Sequence, residues 1–403
     1  MFPAFAACGA PSTPPGTVHS DSAGIAIATA LEPRWGPGEG WTFRDTPEIE
    51  IGSVFGATEY QLHRVTGAVL LSDGDIVVGD RGSGELRRYA PDGVFVSSTA
   101  GEGEGPGEHQ YLDFIGLIEG DSLVSYDGQL LRIQVFAPDG EFVRSLRIES
   151  PWEGFSPGSP LGLSGRHMTM TFGDYSEFPE GIVRWPLQRI STVSLADGTV
   201  TVLLDVPGPE RATRLTDGNP SFLSYEFGKG PSFAAAAGRL AVVDTEAFSV
   251  RAISLDDGST TRILRRNEPL EEVTSVHVEA FVDNNVERSI RSGGLSREEA
   301  EARAPFWRDW PMAPTLPALR SIHLDSEGNL WVEPYFGLVV EPKPFEVFSR
   351  DGTWLGSVAM PPGLDRGGFP QNAPRLEIGD DYILGVWRDE QDVEYVRLYR
   401  LRK

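Results

Sequence analysis

The chain is predicted to be all-β, a ring of short four-stranded antiparallel units. Three observations lead there. A tight-turn motif recurs along the chain, a second turn precedes it in each unit, and the 46 Gly and 31 Pro of 403 residues suit a folded chain dense in turns.

The first marker is an apolar strand running into Asp-Gly: Tyr89 to Gly93, Phe136 to Gly140, Ser194 to Gly198, Ser254 to Gly258 and Phe348 to Gly352. The glycines are 47, 58, 60 and 94 residues apart. Asp-Gly suits such a turn because a tight hairpin needs positive φ, which Gly adopts without a Cβ clash. The earlier marker is a turn before a β-rich run. It occurs at Asp73-Gly74, Gly120-Asp121, Gly165-Arg166, Gly238-Arg239, Glu327-Gly328 and Asp380-Asp381. Each unit therefore reads as four strands, about 65–71, 75–80, 85–90 and 94–100 in the first. The sixth unit ends at its third strand, Val393 to Leu401, while an unassigned strand lies at 48–55. Supplying the missing outer strand from 48–55 closes the ring and removes an exposed edge. The prediction is a six-bladed β-propeller over 22–403, closed by an N-terminal strand and preceded by a flexible tether at 1–21.

The 94-residue gap holds one strand set, around 316–325, 329–336 and 343–350, and a helical insertion at about 266–315, between blades 4 and 5. Within it Val273, Val276, Ala280, Val286 and Ile290 follow a helical stripe from about Pro269, with Glu271 and Glu272 in the first turn. Ser296 and Glu299 have the spacing of a capping box for a second helix. The insertion reads as a pad over one end of the ring, or as a lid.

The run from Leu70 to Asp80 followed by Leu86 to Tyr89 resembles the repeat of NHL-type propellers. With Asp21 to Ile25, Gly101 to Glu108, Asp244 to Arg251 and Gly328 to Val332, the chain looks similar to six-bladed propeller proteins of bacterial envelopes, many of them lipoproteins. The resemblance implies a fold and an extracytoplasmic, periplasmic or outer-membrane-tethered location; it carries no activity. The segment Phe5-Ala6-Ala7-Cys8-Gly9 resembles a lipobox, which would make Cys8 a lipid anchor. Read plainly, Cys8 is a free thiol. As the single cysteine it excludes an internal disulfide and a thiolate-rich zinc site.

With 35 Lys and Arg against 59 Asp and Glu, the net charge is −24, which argues against gripping nucleic acid or an anionic membrane surface. No apolar run reaches the roughly 18 residues of a transmembrane helix. Short turns fall at one end of the strands. The long connections 101–111, 149–160, 206–230, 266–315 and 360–371 fall at the other, where a site is expected. Aromatic and Arg residues there are candidate ligand contacts: Arg81, His109, Tyr111, Trp152, Tyr175, Tyr225, Trp307, Tyr335, Trp387 and Arg388.

A carboxylate ends most second strands: Asp80, Asp127, Asp174, Asp244 and Glu333. Converging, they would hold Ca²⁺; singly, each would cap the loop that follows. No catalytic constellation stands out. Gly154 to Gly158 matches GxSxG without a strand-to-helix elbow, and the six His show no metal-binding spacing. His109 is the best acid–base candidate. The functional expectation is a non-enzymatic binding propeller without a cofactor, presenting its loop-rich face to a protein, peptide or glycan. The alternative is a divalent-metal hydrolase or lactonase resembling the gluconolactonase group, although no candidate position supplies the Asn that group uses.

Overall fold

The computed structural model describes residues 16–403, apart from 217, 218, 292, 338–342 and 366–374. Strand occupies 48% of the chain and helix 8%, so the all-β expectation holds at class level. The strands form four-stranded antiparallel meanders, the layering of a β-propeller. The first comprises Val65–Leu70, Ile76–Asp80, Glu85–Tyr89 and Phe95–Ala100, within a residue or so of the expected strands. The second begins at Leu112–Ile118, the third at Phe155–Ser164, the fourth at Pro231–Ala236, the fifth at Ser321–Leu324 and the sixth at Leu376–Ile378.

Local chemistry explains the repetition. Gly93, Gly140, Gly198, Gly258 and Gly352 all have φ between 70° and 89°. In each turn the preceding Asp carboxylate accepts the N–H two residues on, at 3.0–3.1 Å: Val94, Glu141, Thr199, Ser259 and Thr353.

Packing links the sheets in chain order. Val69, Val77 and Leu86 meet Leu112, Leu123 and Phe136; Phe114 and Tyr126 meet Met168 and Phe172; Leu161 and Ile190 meet Leu240 and Val242. Val243 and Val250 meet Ile322 and Phe348, and Trp331 and Phe345 meet Ile383 and Tyr399. A sixth cluster joins Val65, Ile76 and Tyr89 of the first sheet to Leu384, Val396 and Leu398 of the last, with Ile49 and Ile51 between them. Ile49–Ile51 pairs antiparallel with Glu394–Arg402, Ile49 opposite Leu398 and Ile51 opposite Val396.

Four features depart from the sequence reading. Thr17–Ser22 is a strand, so residues 17–21 are not tether. It pairs with Ile25–Ala30, which adds in parallel to the outer strand Thr260–Arg265 of the fourth sheet. The supposed loops at 149–160 and 206–230 are partly strand. A separate three-stranded sheet, Gly181–Arg184, Glu210–Thr216 and Asn219–Ser224, stands on the third unit's connections.

The fourth concerns the insertion, which holds α1 (Ser275–Arg291), α2 (Arg297–Glu301) and α3 (Ala304–Arg308). Helix α1 buries Phe281, Val282 and Val286, while Val276 is 60% exposed. Glu271 and Glu272 lie before the helix. The expected stripe followed Val, Ala and Ile residues and passed over Phe281, whose ring packs edge-on against Trp307. The Ser296–Glu299 capping box is present at α2.

Candidate functional site

In an antiparallel meander, the connection after the second strand and the crossover to the next unit lie at the same end. That end holds the carboxylates expected to converge; all but Asp244, which is held by Arg184 of the third unit's connections, are engaged within their own unit. Buried Asp80 accepts the N–H groups of Gly82 (2.8 Å), Ser83 and His63 (both 3.3 Å), and pairs with Arg87 at 3.2 Å. Burial still holds its pKa above the usual carboxylate value, outweighing Arg87 and the amides. Asp127, fully buried, accepts four N–H groups, from Gln110, Tyr111, Gln129 and Leu130, at 2.6–3.1 Å.

Asp174 takes the Ser176 hydroxyl at 2.6 Å and its N–H at 3.0 Å, which lower its pKa. Asp244 pairs with Arg184, and Glu333 with Arg320 at 3.0 Å and the Ser321 hydroxyl at 2.7 Å. Among the described residues no three His, Cys, Asp or Glu side chains come close enough to share a metal ion. The structure does not bring Asp80, Asp127, Asp174, Asp244 and Glu333 together, and their lone pairs serve N–H and guanidinium donors. This donor set does not fit Ca²⁺.

The candidate contacts divide by burial. Trp387 is 0% exposed and packs on Tyr399 at 5.1 Å, so it is core. It lies on Tyr382–Arg388, a strand that runs past the expected loop boundary and carries the indole inward. His109 is 1% exposed; its Nδ1 is 2.8 Å from the Gly84 carbonyl oxygen and its Nε2 2.8 Å from the Ser125 Oγ. Burial lowers its pKa, and the ring acts as a strut between two units. The Gly-rich run beside it had suggested a surface loop.

Trp152 is half-buried against Phe155 and Phe172, with Arg189 4.7 Å from its ring centre. Tyr225 and Tyr335 pack with Phe227, Ala313 and Leu316 beneath the insertion, and Trp307 belongs to the insertion's own core. Arg388 bridges Asp365 (2.9 Å) and Glu394 (2.5 Å). Tyr111 and Tyr175 remain open, 42% and 53% exposed; Arg81 stacks 4.2 Å over Tyr111 and pairs with Asp113. Cys8 lies outside the described residues.

An aromatic surface emerges that the sequence reading did not assemble. On the three-stranded sheet, Phe222 (49% exposed) stacks on Trp185 at 5.3 Å, and Phe178 and Tyr175 meet the same indole edge-on. The Trp310 Nε1–H donates to the Ser224 carbonyl at 2.8 Å, joining α3 to this sheet. Phe306, 58% exposed, packs on Trp310 at 5.3 Å. The alternation Arg211, Thr213 and Leu215 against Ala212 and Arg214 mixes polarity on both faces, so no period-two signal marked the sheet.

A different concavity lies between the first strands of the sheets. A cavity of about 300 Å³ is lined by the first strands of all six units, where Glu377 and His323 join apolar and Gly residues. Ser321 Oγ lies 3.2 Å from His323 Nε2 and 2.7 Å from Glu333 Oε2. The carboxylate thus bonds the serine rather than orienting the imidazole, unlike a nucleophilic triad.

No family model matches this chain, and no curated protein matches it. Solved structures similar to it include a member of the DUF4221 family from Bacteroides vulgatus, 9% identical, covering 90% of this chain and 99% of that one, with a TM-score of 0.48. A Bacteroides fragilis protein described as exported is 12% identical, with coverage of 90% and 94% and a TM-score of 0.47. A gluconolactonase from Xanthomonas campestris is 12% identical, with coverage of 85% and 87% and a TM-score of 0.43.

Proposed function

We propose that this chain is a six-bladed β-propeller, closed by Ile49–Ile51, that acts outside the cytoplasm as a non-enzymatic binding protein. Its partner, a protein, peptide or glycan, docks on the loop-rich end. Closure is supported by the pairing of Ile49–Ile51 with the last strand and by the cluster that packs the sixth sheet on the first. The extracytoplasmic setting rests on the likeness of Phe5 to Gly9 to a lipobox, with Cys8 as the lipidated residue.

The observation that carries the binding reading is the exposed aromatic surface of Tyr175, Phe222 and Phe306, backed by Trp185 and Trp310. Rings held by other rings lose little entropy on contact, which suits them to recognition. The metal-dependent hydrolase reading finds no ligand set among the described residues to support it.

The test is retention of wild-type protein and a Tyr175→Ala/Phe222→Ala variant on peptidoglycan sacculi, a glycan array and a peptide array. At least tenfold weaker retention of the variant, with unchanged melting, supports the assignment. Equal retention of the two, or no retention by the wild type on any of the three, overturns it.

A further inference from the structure

The cavity enclosed by the six first strands has a chemical bias of its own. It lies nearer the end with the short turns, on the later residues of strands such as Val65–Leu70 and Leu112–Ile118, away from the aromatic surface. Its volume of about 300 Å³ is at the small end of the range for ligand pockets, roughly 300–1,000 Å³. Its wall includes Phe114, Leu163, Phe233 and Leu376, with Gly67, Gly116 and Gly162 between them; a Cβ at Gly162 would meet the Ala235 carbonyl oxygen and one at Gly116 the Leu163 side chain, so these glycines let the first strands approach closely.

Into this apolar wall the chain sets one carboxylate. Glu377 makes no ion pair among the described residues. Its partners are the Tyr382 hydroxyl and the Leu70 N–H, both neutral donors. A carboxylate in such a place is normally matched by a cation, because leaving it unmatched costs several kcal/mol. Asp80, Glu333, Asp365 and Glu394 at the other end have guanidinium partners, and Glu377 has none among the described residues. Burial pushes its pKa up to about 7 in spite of both donors. The net charge of −24 also raises the local concentration of cations at the mouth.

We propose that the central cavity is a binding site for a small organic ammonium ion with an apolar body, its ammonium seated on the Glu377 carboxylate and its hydrocarbon against the channel wall. His323, on the same wall, contributes a second polar contact.

Calorimetric titration of the folded protein at pH 8.5 with benzylamine, cyclohexylamine and n-butylamine, and with neutral benzyl alcohol as the control, tests this. At least one amine should bind tenfold or more tightly than benzyl alcohol. Glu377→Gln, which keeps shape and volume, should weaken that amine at least tenfold, whereas Tyr382→Phe should retain it. Tyr175→Ala/Phe222→Ala should also bind it normally, which separates this site from the aromatic surface. Should Glu377→Gln prove unfolded by circular dichroism, Glu377→Asp, which draws the carboxylate back by one methylene, takes its place with the same expected loss. Failure of all three amines, parity with benzyl alcohol, or unaltered binding by the folded Glu377 variant overturns the assignment.

Discussion

Replacing Ile51 with Ala tests ring closure at a single side chain. Ile51 is 0% exposed, wedged between Val65 and Ile76 on one side and Val396 and Leu398 on the other. Neither flank can move in without parting from its own sheet, so the cavity should persist, and the cost should be about 3 kcal/mol, within the roughly 2–5 kcal/mol seen for Ile→Ala. The adjacent residue is the internal control. Glu50 points outward and pairs with Arg397 at 2.7 Å while 45% of its side chain remains exposed. Such a pair contributes about 0.2–1 kcal/mol, so Glu50→Ala should cost no more than that.

Equilibrium urea unfolding of both variants, followed by circular dichroism, gives the two values, with an unchanged denaturant slope as the check that the native state is intact. Gly52 adds a backbone probe. Its φ is +139° and a Cβ there would lie 2.8 Å from the Glu394 carbonyl oxygen, so Gly52→Ala should destabilise the same junction. An Ile51→Ala cost below about 1 kcal/mol, or equal costs for Ile51 and Glu50, would refute the claim that this strand is clamped between the first and last sheets.

The same assay should separate the two classes of ring at the loop-rich end. Trp387→Ala should cost about 3–5 kcal/mol, whereas Tyr175→Ala should fall within about 0.5 kcal/mol of wild type; reversal of that order would contradict the burial of the two side chains. Glu377 gives a pH dependence. Its folded pKa, about 7, lies above the ordinary 4.5, so the folded state binds more protons between those values and stability falls as pH rises through that window. Glu377→Gln should abolish about 3 kcal/mol of that fall, to order of magnitude, and a wild-type-minus-variant difference that stays flat with pH would negate it. Melting should be the same in EDTA and in millimolar Ca²⁺, since a site filled to 100 times its Kd would add about 2.7 kcal/mol; a clear shift would restore the metal reading.

Much of the fold was legible because its signals are local. Asp-Gly turns need only Gly's freedom at positive φ and an Asp that caps two residues on, so residues 92–94 announce a hairpin whatever surrounds them. The same locality makes the Ser296–Glu299 box readable. The site was less legible because burial belongs to neighbours distant in sequence. His109 looks like a loop residue until Ser125 and Gly84 enclose it. Phe222 looks like any strand aromatic until Trp185, more than thirty residues earlier, stacks beneath it.

What the amino-acid order determined alone is the inventory of turns and strands, the expectation of a closing strand near residue 50, and the absence of a disulfide framework. What only the tertiary structure decided is how charge and surface are used. Arg184 neutralises Asp244 across a 60-residue separation, Arg87 and Arg320 occupy Asp80 and Glu333, and Glu377 lines the bore with no cation beside it among the described residues. The physical reason is that strand formation depends on neighbours a few residues away, whereas solvation and ion pairing depend on what lies within a few ångströms, which the packing of the sheets alone brings together.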